Sequence, residues 1–397
     1  MEAGRLKAVR WGLLALFVAL VAYAHWWYGI RHHFYDLKIY RQAIDWWLDG
    51  HDLYTFTKPD DTQGALGFTY PPFGAMVLVP FALLAKNAAV TVYVVIALAG
   101  LLVTTFWLVA PVARRHGWSL PFVLVLSTVV FSTLEPVRET FSFGQINVLL
   151  IVLILADLLI LLPRGSRWAG VLIGLAAAIK LTPAIFIVYL LVSRRYRAGI
   201  TAIVSAAAAT LLAAAVAPRA SWDFWSDTLW KGDGIGNKAY IPNQSLRGLL
   251  ARYDAPGWLW VLLVLAVVAV GLWRARRAAL AGDELVGLTI AGFVGCLASP
   301  ISWIHHLYWF VPAIVVLVDA GRRWLAALIA VTVGVGMVSL YDQGLPVDPW
   351  GEGVLGFFIE NWYVLLALAL LFALPVRRIG EETMSGGAPA SEVATVR

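Results

Sequence analysis

Cysteine is nearly absent from this 397-residue sequence, charge is sparse, and no polar block is long enough to build a soluble domain. The single thiol, Cys296, excludes an intramolecular disulfide and stands in an apolar run, leaving the redox compartment unread. Motifs of the HExxH or CxxC kind and clustered carboxylates are missing, so ligand spacing gives no argument for a metal. No internal repeat is detectable. Charged residues are only 14% of the chain and hydrophobic ones 61%, with mean hydropathy +0.78, which argues against a soluble globule with one anchor. The apolar runs are long, which disfavours a β-barrel built from short alternating strands. Residues 11–28 lack the small-residue cleavage site of a signal peptide and read as a retained first helix. The net charge of +6 implies no nucleic acid, because Lys and Arg gather in short clusters between apolar runs.

What is present is an all-α polytopic membrane pattern. Basic clusters stand at Arg5/Lys7/Arg10, Arg114/Arg115, Arg164/Arg167, Arg194/Arg195/Arg197, Arg274/Arg276/Arg277, Arg322/Arg323 and Arg377/Arg378. If all are cytoplasmic, an even number of crossings separates each neighbouring pair. The apolar runs 119–134 and 146–162, 198–217 and 257–273, 284–298 and 308–320, and 324–341 and 355–374 obey this rule. Segment 168–193 is interrupted by "IKLTP" and reads as two short helices meeting at Lys180–Pro183, with one continuous helix as the alternative. The run 71–85, opened by Tyr70-Pro71-Pro72, reads as a re-entrant or interfacial helix, and 88–112 as the crossing. The expectation is about twelve transmembrane helices with both termini cytoplasmic, plus amphipathic or re-entrant helices on the outer face. Residues 1–378 form one membrane domain in this reading, and 379–397 a disordered cytoplasmic tail.

This topology puts residues 29–70, 135–145, 218–256, 299–307 and 342–354 on one outer side, with most of the non-basic polar chemistry. Asp36 opens an amphipathic stretch, "DLKIYRQAIDWWL", where it either caps a helix lying in the interface or acts as a catalytic acid or base. Asp45, Asp49 and Asp52 read as solvated charge. Lys180, between "GLAAAI" and "LTPAIF", lies at hydrophobic depth, where an ammonium marks a pathway, a partner or a bound anion unless it snorkels. In "NQSLRGLLAR", Asn243, Gln244, Ser245 and Arg247 stand at a helix entry, suited to capping or to an anion. His305 and His306 are adjacent and so make a poor metal pair. "GQIN" offers Gln145 and Asn147, suited to a hydroxyl-rich ligand or to capping. Arg138, between Glu135 and Glu139, pairs with them or faces a phosphate. The 19 tryptophans suit interfacial belts and sugar-stacking surfaces.

Six blocks carry a resemblance: "DLKIYRQAIDWWLDGHDLY", "FTYPPFGAMVLVPFALL", "GQINVLLIVLILADLL", "GLAAAIKLTPAIFIVYLL", "NQSLRGLL" and "SPISWIHHLYWFVP". In this order and spacing the chain resembles glycosyltransferase family 87, the polyprenyl-phosphate-mannose-dependent α-(1→2)-mannosyltransferases of GT-C fold from mycobacteria and relatives. The likeness runs from about residue 10 to 375. It implies an inverting transfer of mannose from polyprenyl-phosphate-mannose to a phosphatidylinositol mannoside or lipomannan acceptor, at the extracytoplasmic side of the plasma membrane. It implies the Asp36 carboxylate of the first outer loop as the catalytic general base, with His305 or His306 positioning the acceptor or donating to the phosphate. Lys180, Arg247 and Arg138 are the implied phosphate ligands. Tyr40, Tyr70, Gln145, Asn147, Asn243 and Gln244 complete the sugar and acceptor set. The family's lipid-linked donors demand no bound metal or other cofactor. Transfer of arabinose or another lipid-phosphate sugar is the alternative within the class. A lipid-linked sugar transporter is the alternative outside it, disfavoured by the missing inverted repeat.

Overall fold

A computed structural model describes residues 2–29, 31–60, 63–231, 236–342 and 353–377. The expected tail 379–397, Arg378 and most of the connection 342–354 lie outside the described residues. Helix dominates because a backbone in lipid must satisfy its own polar groups within the segment. The order begins α1 (Glu2–Tyr28), α2 (Tyr35–Leu48), the antiparallel hairpin β1 (Thr57–Asp60) and β2 (Gly64–Gly67), α3 (Pro72–Leu83), α4 (Lys86–Arg115), α5 (Leu120–Thr133) and α6 (Glu135–Phe143). It continues with α7 (Asn147–Ala156), which runs on as a π-helical turn to Leu161, then α8 (Val171–Ile179), α9 (Ala184–Val192), α10 (Tyr196–Val216), α11 (Pro218–Asp223), α12 (Leu229–Lys231) and α13 (Leu246–Arg252). The last are α14 (Gly257–Leu280), α15 (Glu284–Ala298), α16 (Phe310–Asp319), α17 (Arg323–Val335), α18 (Met337–Asp342), α19 (Val354–Glu360) and α20 (Trp362–Ala373). The small hairpin corrects the purely helical expectation.

The chain is a multi-pass membrane protein. Among the described residues, 4–27, 86–115, 196–216, 257–280 and 323–342 are helices long and apolar enough to cross a bilayer. The bent pairs α5–α6, at 69°, and α19–α20, at 75°, bring the number from five to seven if each is one span. The remaining apolar runs form shorter helices, α3, α7, α15 and α16, below the roughly 20 residues of a straight crossing. α15 and α16 are buried along nearly their whole length, so they form the core around which the longer spans stand.

Polar contacts sort the connections onto two ends. At one end Asp319 binds Arg115, His116 at 2.9 Å and Arg377 at 2.8 Å. There too Arg195 pairs with Glu284, and the Arg377 N–H donates to Asp283 at 3.0 Å. The connections that carry Arg115, Arg195 and Arg377 therefore meet. The other end gathers the stretches around 31–36, 139–147, 237–245 and 299–306. Exposed tryptophans fringe both ends, Trp168, Trp273 and Trp324 at the basic one and Trp26, Trp27, Trp222 and Trp258 at the other, as an interfacial belt requires.

Three local features place the site. Lys180 is extended (φ −149°, ψ 135°) and ends α8, while Pro183 opens α9, so the segment is two short helices with Lys180 at their junction. α3 starts beside Tyr70 and ends where the Leu84 carbonyl accepts from Arg41 of α2 at 2.8 Å, so both its ends stay near α2 instead of crossing. Asp157, an acid within the apolar "LILADLL", is no ligand. Its two carboxylate oxygens accept from the N–H groups of Gly170 (2.6 Å) and Ile173 (3.0 Å) and so cap α8.

Candidate active site

The first turn of α2 carries Asp36. Leu37, Ile39, Tyr40, Ala43 and Ile44 form the buried face of this helix, and Asp45 and Asp49 are exposed. Asp52 pairs with Arg219 at 2.7 Å. The capping expectation for Asp36 is corrected: the N-cap position is Phe34, in the left-handed region (φ 56°), and no side chain caps the helix. The carboxylate instead accepts a short hydrogen bond from Gln145 Nε2. α6 ends at Gly144 (φ 75°), where a Cβ would lie 2.7 Å from the Leu37 Cβ. Glycine here both supplies the left-handed turn and lets α2 close on Gln145. Gly144→Ala should cost roughly 1–3 kcal/mol of stability, read as a lower thermal midpoint in detergent.

From Asp36 the hydrogen bonds run in one consistent direction. Tyr70 donates to Gln145 Oε1 at 3.2 Å, and the Tyr40 and Tyr70 hydroxyls lie 2.6 Å apart. Lys180 Nζ donates to the Tyr70 hydroxyl (3.3 Å) and to Asn147 Oδ1 (3.1 Å), and lies 2.9 Å from His306 Nε2. Asn147 Nδ2 donates to the His305 carbonyl at 3.0 Å. His306 Nδ1 accepts from the Trp303 N–H at 3.1 Å, which fixes its ring. His305 is buried and its Nε2 has no hydrogen-bond partner among the described residues. Seven of the twelve expected residues (Asp36, Tyr40, Tyr70, Gln145, Asn147, Lys180 and His306) therefore share one network, with His305 at its edge.

Electrostatics tune the two ends of that network differently. Burial pushes the Asp36 carboxyl up to about 6, while the Gln145 amide and the charge of Lys180 hold it back. Burial, with Lys180 nearby, keeps both His305 and His306 well below the usual imidazole range, so both rings are neutral at pH 7.

The other expected residues are engaged elsewhere. Arg138 donates to the carbonyls of Thr133 and Gly334, both at 3.0 Å. Arg247 lies over the Trp260 ring at 5.5 Å, and Ser245 caps α13 through the Gly248 N–H at 3.0 Å. Asn243 accepts from the Ser302 N–H (2.9 Å) and donates to the carbonyls of Lys238 (2.9 Å) and Pro300 (3.3 Å). Gln244 clamps the carbonyls of Ile241 and Glu360 and accepts from the Tyr363 N–H at 3.1 Å. Asn243 thus braces the loop that leads through Trp303 to His306, and Gln244 ties the same segment to the start of α20. Two basic residues near Asp36, His32 and Lys58, are not singled out by the sequence. His32 pairs with Glu139 at 2.8 Å and stacks on Phe143, and Lys58 of the hairpin lies 4.0 Å over the Tyr35 ring. Lys58 had no signal, because only the hairpin brings it back over α2. Among the described residues no group of three or more His, Cys, Asp or Glu side chains is placed to hold a metal ion.

A carboxylate poised near neutrality, wired to an ammonium and flanked by neutral imidazoles and amides, suits deprotonation of a hydroxyl beside an anionic leaving group. Comparison with known proteins points the same way. No solved structure matches the chain. It is 34% identical, over 86% of its length and 83% of the relative's, to the Mycobacterium tuberculosis protein named polyprenol-phosphate-mannose-dependent alpha-(1-2)-phosphatidylinositol mannoside mannosyltransferase. The Mycolicibacterium smegmatis protein of that name is 37% identical over 74% of this chain and 73% of its own. A second M. smegmatis protein, named for a phosphatidylinositol pentamannoside acceptor, is 32% identical over 84% of this chain and 81% of its own. The pattern of glycosyltransferase family 87 covers residues 68–300, and with these relatives it shows that the chain belongs to that family of glycosyltransferases.

Proposed function

We propose that this glycosyltransferase moves mannose from polyprenyl-phosphate-mannose to a phosphatidylinositol mannoside, forming an α-(1→2) linkage with inversion. The observation that carries the reading is the single network joining the Asp36 carboxylate, through Gln145 and Tyr70, to the Lys180 ammonium. Asp36 takes the proton of the acceptor hydroxyl as its oxygen attacks the anomeric carbon. The bond from that carbon to the phosphate oxygen breaks, and its electron pair leaves with polyprenyl phosphate. Lys180 meets the charge that develops there, so no general acid is needed. His306 stands beside Lys180, and the unpartnered Nε2 of His305 is available to the acceptor sugar, as are Tyr40, Tyr70, Gln145 and Asn147. Arg138, Arg247, Asn243 and Gln244 support the site from outside this network.

The same proposal extends to topology. The Asp36 end faces the extracytoplasmic side of the plasma membrane and the arginine-rich end the cytoplasm, in accord with the positive-inside rule. The short helices supplement the long spans toward about twelve passes of a GT-C bundle that occupies residues 1–378. Both substrates are lipids, which explains why the acid lies directly after a membrane helix.

The test is transfer by purified protein in vesicles, with labelled polyprenyl-phosphate-mannose and phosphatidylinositol mannosides of increasing size. A product cleaved by an α-(1→2)-specific mannosidase is expected. Transfer only from a lipid-linked arabinose donor, or only onto lipomannan, would move the assignment to another member of the family. In the same assay, kcat/KM should rise about tenfold per pH unit below an apparent pKa near 6 and level off above it. A flat profile between pH 5 and 7.5 would remove Asp36 as the base.

A further inference from the structure

At the arginine-rich end, far from Asp36, α1 stands off the bundle. It meets α5 edge-on where Trp11 contacts Phe122, at 5.4 Å between ring centroids, and again where His25 meets Ser132 at 3.1 Å. Between α1, α5 and the neighbouring α4 and α16 lies a cavity of about 940 Å³. Its walls are apolar, formed by Val109, Val112, Phe122, Val130, Ile314 and Val318. Lys7, Arg10 and Arg323 stand among its lining residues, and among the described residues none of the three has a carboxylate partner. The acid nearest in sequence to Arg323, Asp319, is already bound by Arg115, His116 and Arg377.

The gap is half-open and its walls are largely apolar, so water finds few polar partners along them. In a membrane the available filler is a lipid chain. Three cations beside the gap, without a carboxylate partner among the described residues, add a preference for an anionic headgroup. We propose that this groove holds the acyl chain of an anionic glycerophospholipid from the adjoining leaflet, its phosphate lying between Lys7, Arg10 and Arg323. Bound there, the lipid completes the packing of α1 against the bundle. α1 has 27 residues and so spans about 40 Å, which separates this site from the one at Asp36. The site is distinct from that of the donor phosphate and does not depend on the sugar transferred.

The full-length protein, stripped of lipid in a neutral detergent, is unfolded thermally with added phosphatidylglycerol, phosphatidylcholine or polyprenyl phosphate. Phosphatidylglycerol should raise the midpoint by roughly 3–6 °C and phosphatidylcholine by about 1 °C or less, while a shift with polyprenyl phosphate, the product at the Asp36 site, should persist in variants of the groove. The triple variant Lys7→Gln/Arg10→Gln/Arg323→Gln should lose the phosphatidylglycerol shift. So should Ser127→Phe, which fills the cavity without touching a charge. Equal shifts with phosphatidylcholine, or a phosphatidylglycerol shift retained in the triple variant, overturn the site, as does a shift with polyprenyl phosphate alone. If the triple variant fails to fold, Ser127→Phe decides: loss of its shift supports the site and retention overturns it.

Discussion

Asp36→Asn should lower kcat/KM by about 10²- to 10⁴-fold, the usual contribution of a positioned general base. The amide keeps the shape of the carboxyl and an oxygen to accept from Gln145, but takes no proton. Stability separates this loss from misfolding. Because the folded pKa is raised from 3.8 to about 6, the folded state holds the Asp36 proton more tightly than the unfolded chain does. The stability this contributes is present in full below 3.8 and is lost as the pH rises through about 6. At pH 7–8 the ionised carboxyl therefore weakens the fold, and Asn removes that cost. The variant should unfold at an equal or higher temperature than wild type at pH 7.5 while transferring almost no sugar. An inactive variant with a clearly lower midpoint would mean that Asp36 serves the fold. An active one would end its assignment as base.

Lys180→Met has the second-largest expected effect. It keeps the apolar stem and deletes the ammonium, which donates to Tyr70 and Asn147 and lies beside His306. Loss of a charge that meets the leaving phosphate should cost about 10²- to 10³-fold in kcat. A structural role predicts the same direction, so the pH profile is the discriminating reading. The charge of Lys180 helps hold Asp36 down, and without it the apparent pKa of the residual activity should move above 6. Lys180→Arg keeps the charge and should restore the profile, though not the full rate, since its planar fork does not fit partners set for a point donor. A Met variant that loses rate with an unmoved pKa would separate Lys180 from Asp36.

Features that depend on nearest neighbours along the chain were legible in the sequence. Apolar runs and arginine clusters mark the helices and bring their basic ends together, and the Lys-Leu-Thr-Pro break falls where proline and the residue before it resist helix. The depth of each helix was harder to read, because apolar composition does not distinguish a full crossing from a short core helix such as α15. Polar roles set by distant partners were hidden as well. Arg138 meets a carbonyl 196 residues away, and Gln244 one 116 residues away. Neither partner leaves a trace in local spacing. Asp157 looked like part of an apolar run because its partners are the backbone of the next helix. The β-hairpin was missed because Gly64–Gly67 has no alternation of polar and apolar residues.

The long sequence separations within the network also bear on biosynthesis. Asp36 is made first, and the glutamine that holds it follows 109 residues later. Lys180 emerges before its imidazole neighbour by 126 residues. During that interval α8 and α9 must carry an ammonium in the bilayer with only Tyr70 and Asn147 of its later partners already made. A nascent chain paused before residue 306 therefore holds the Lys180 ammonium without its imidazole neighbour. Such a chain would be an unstable intermediate and a natural client for an insertase that shields polar groups in lipid.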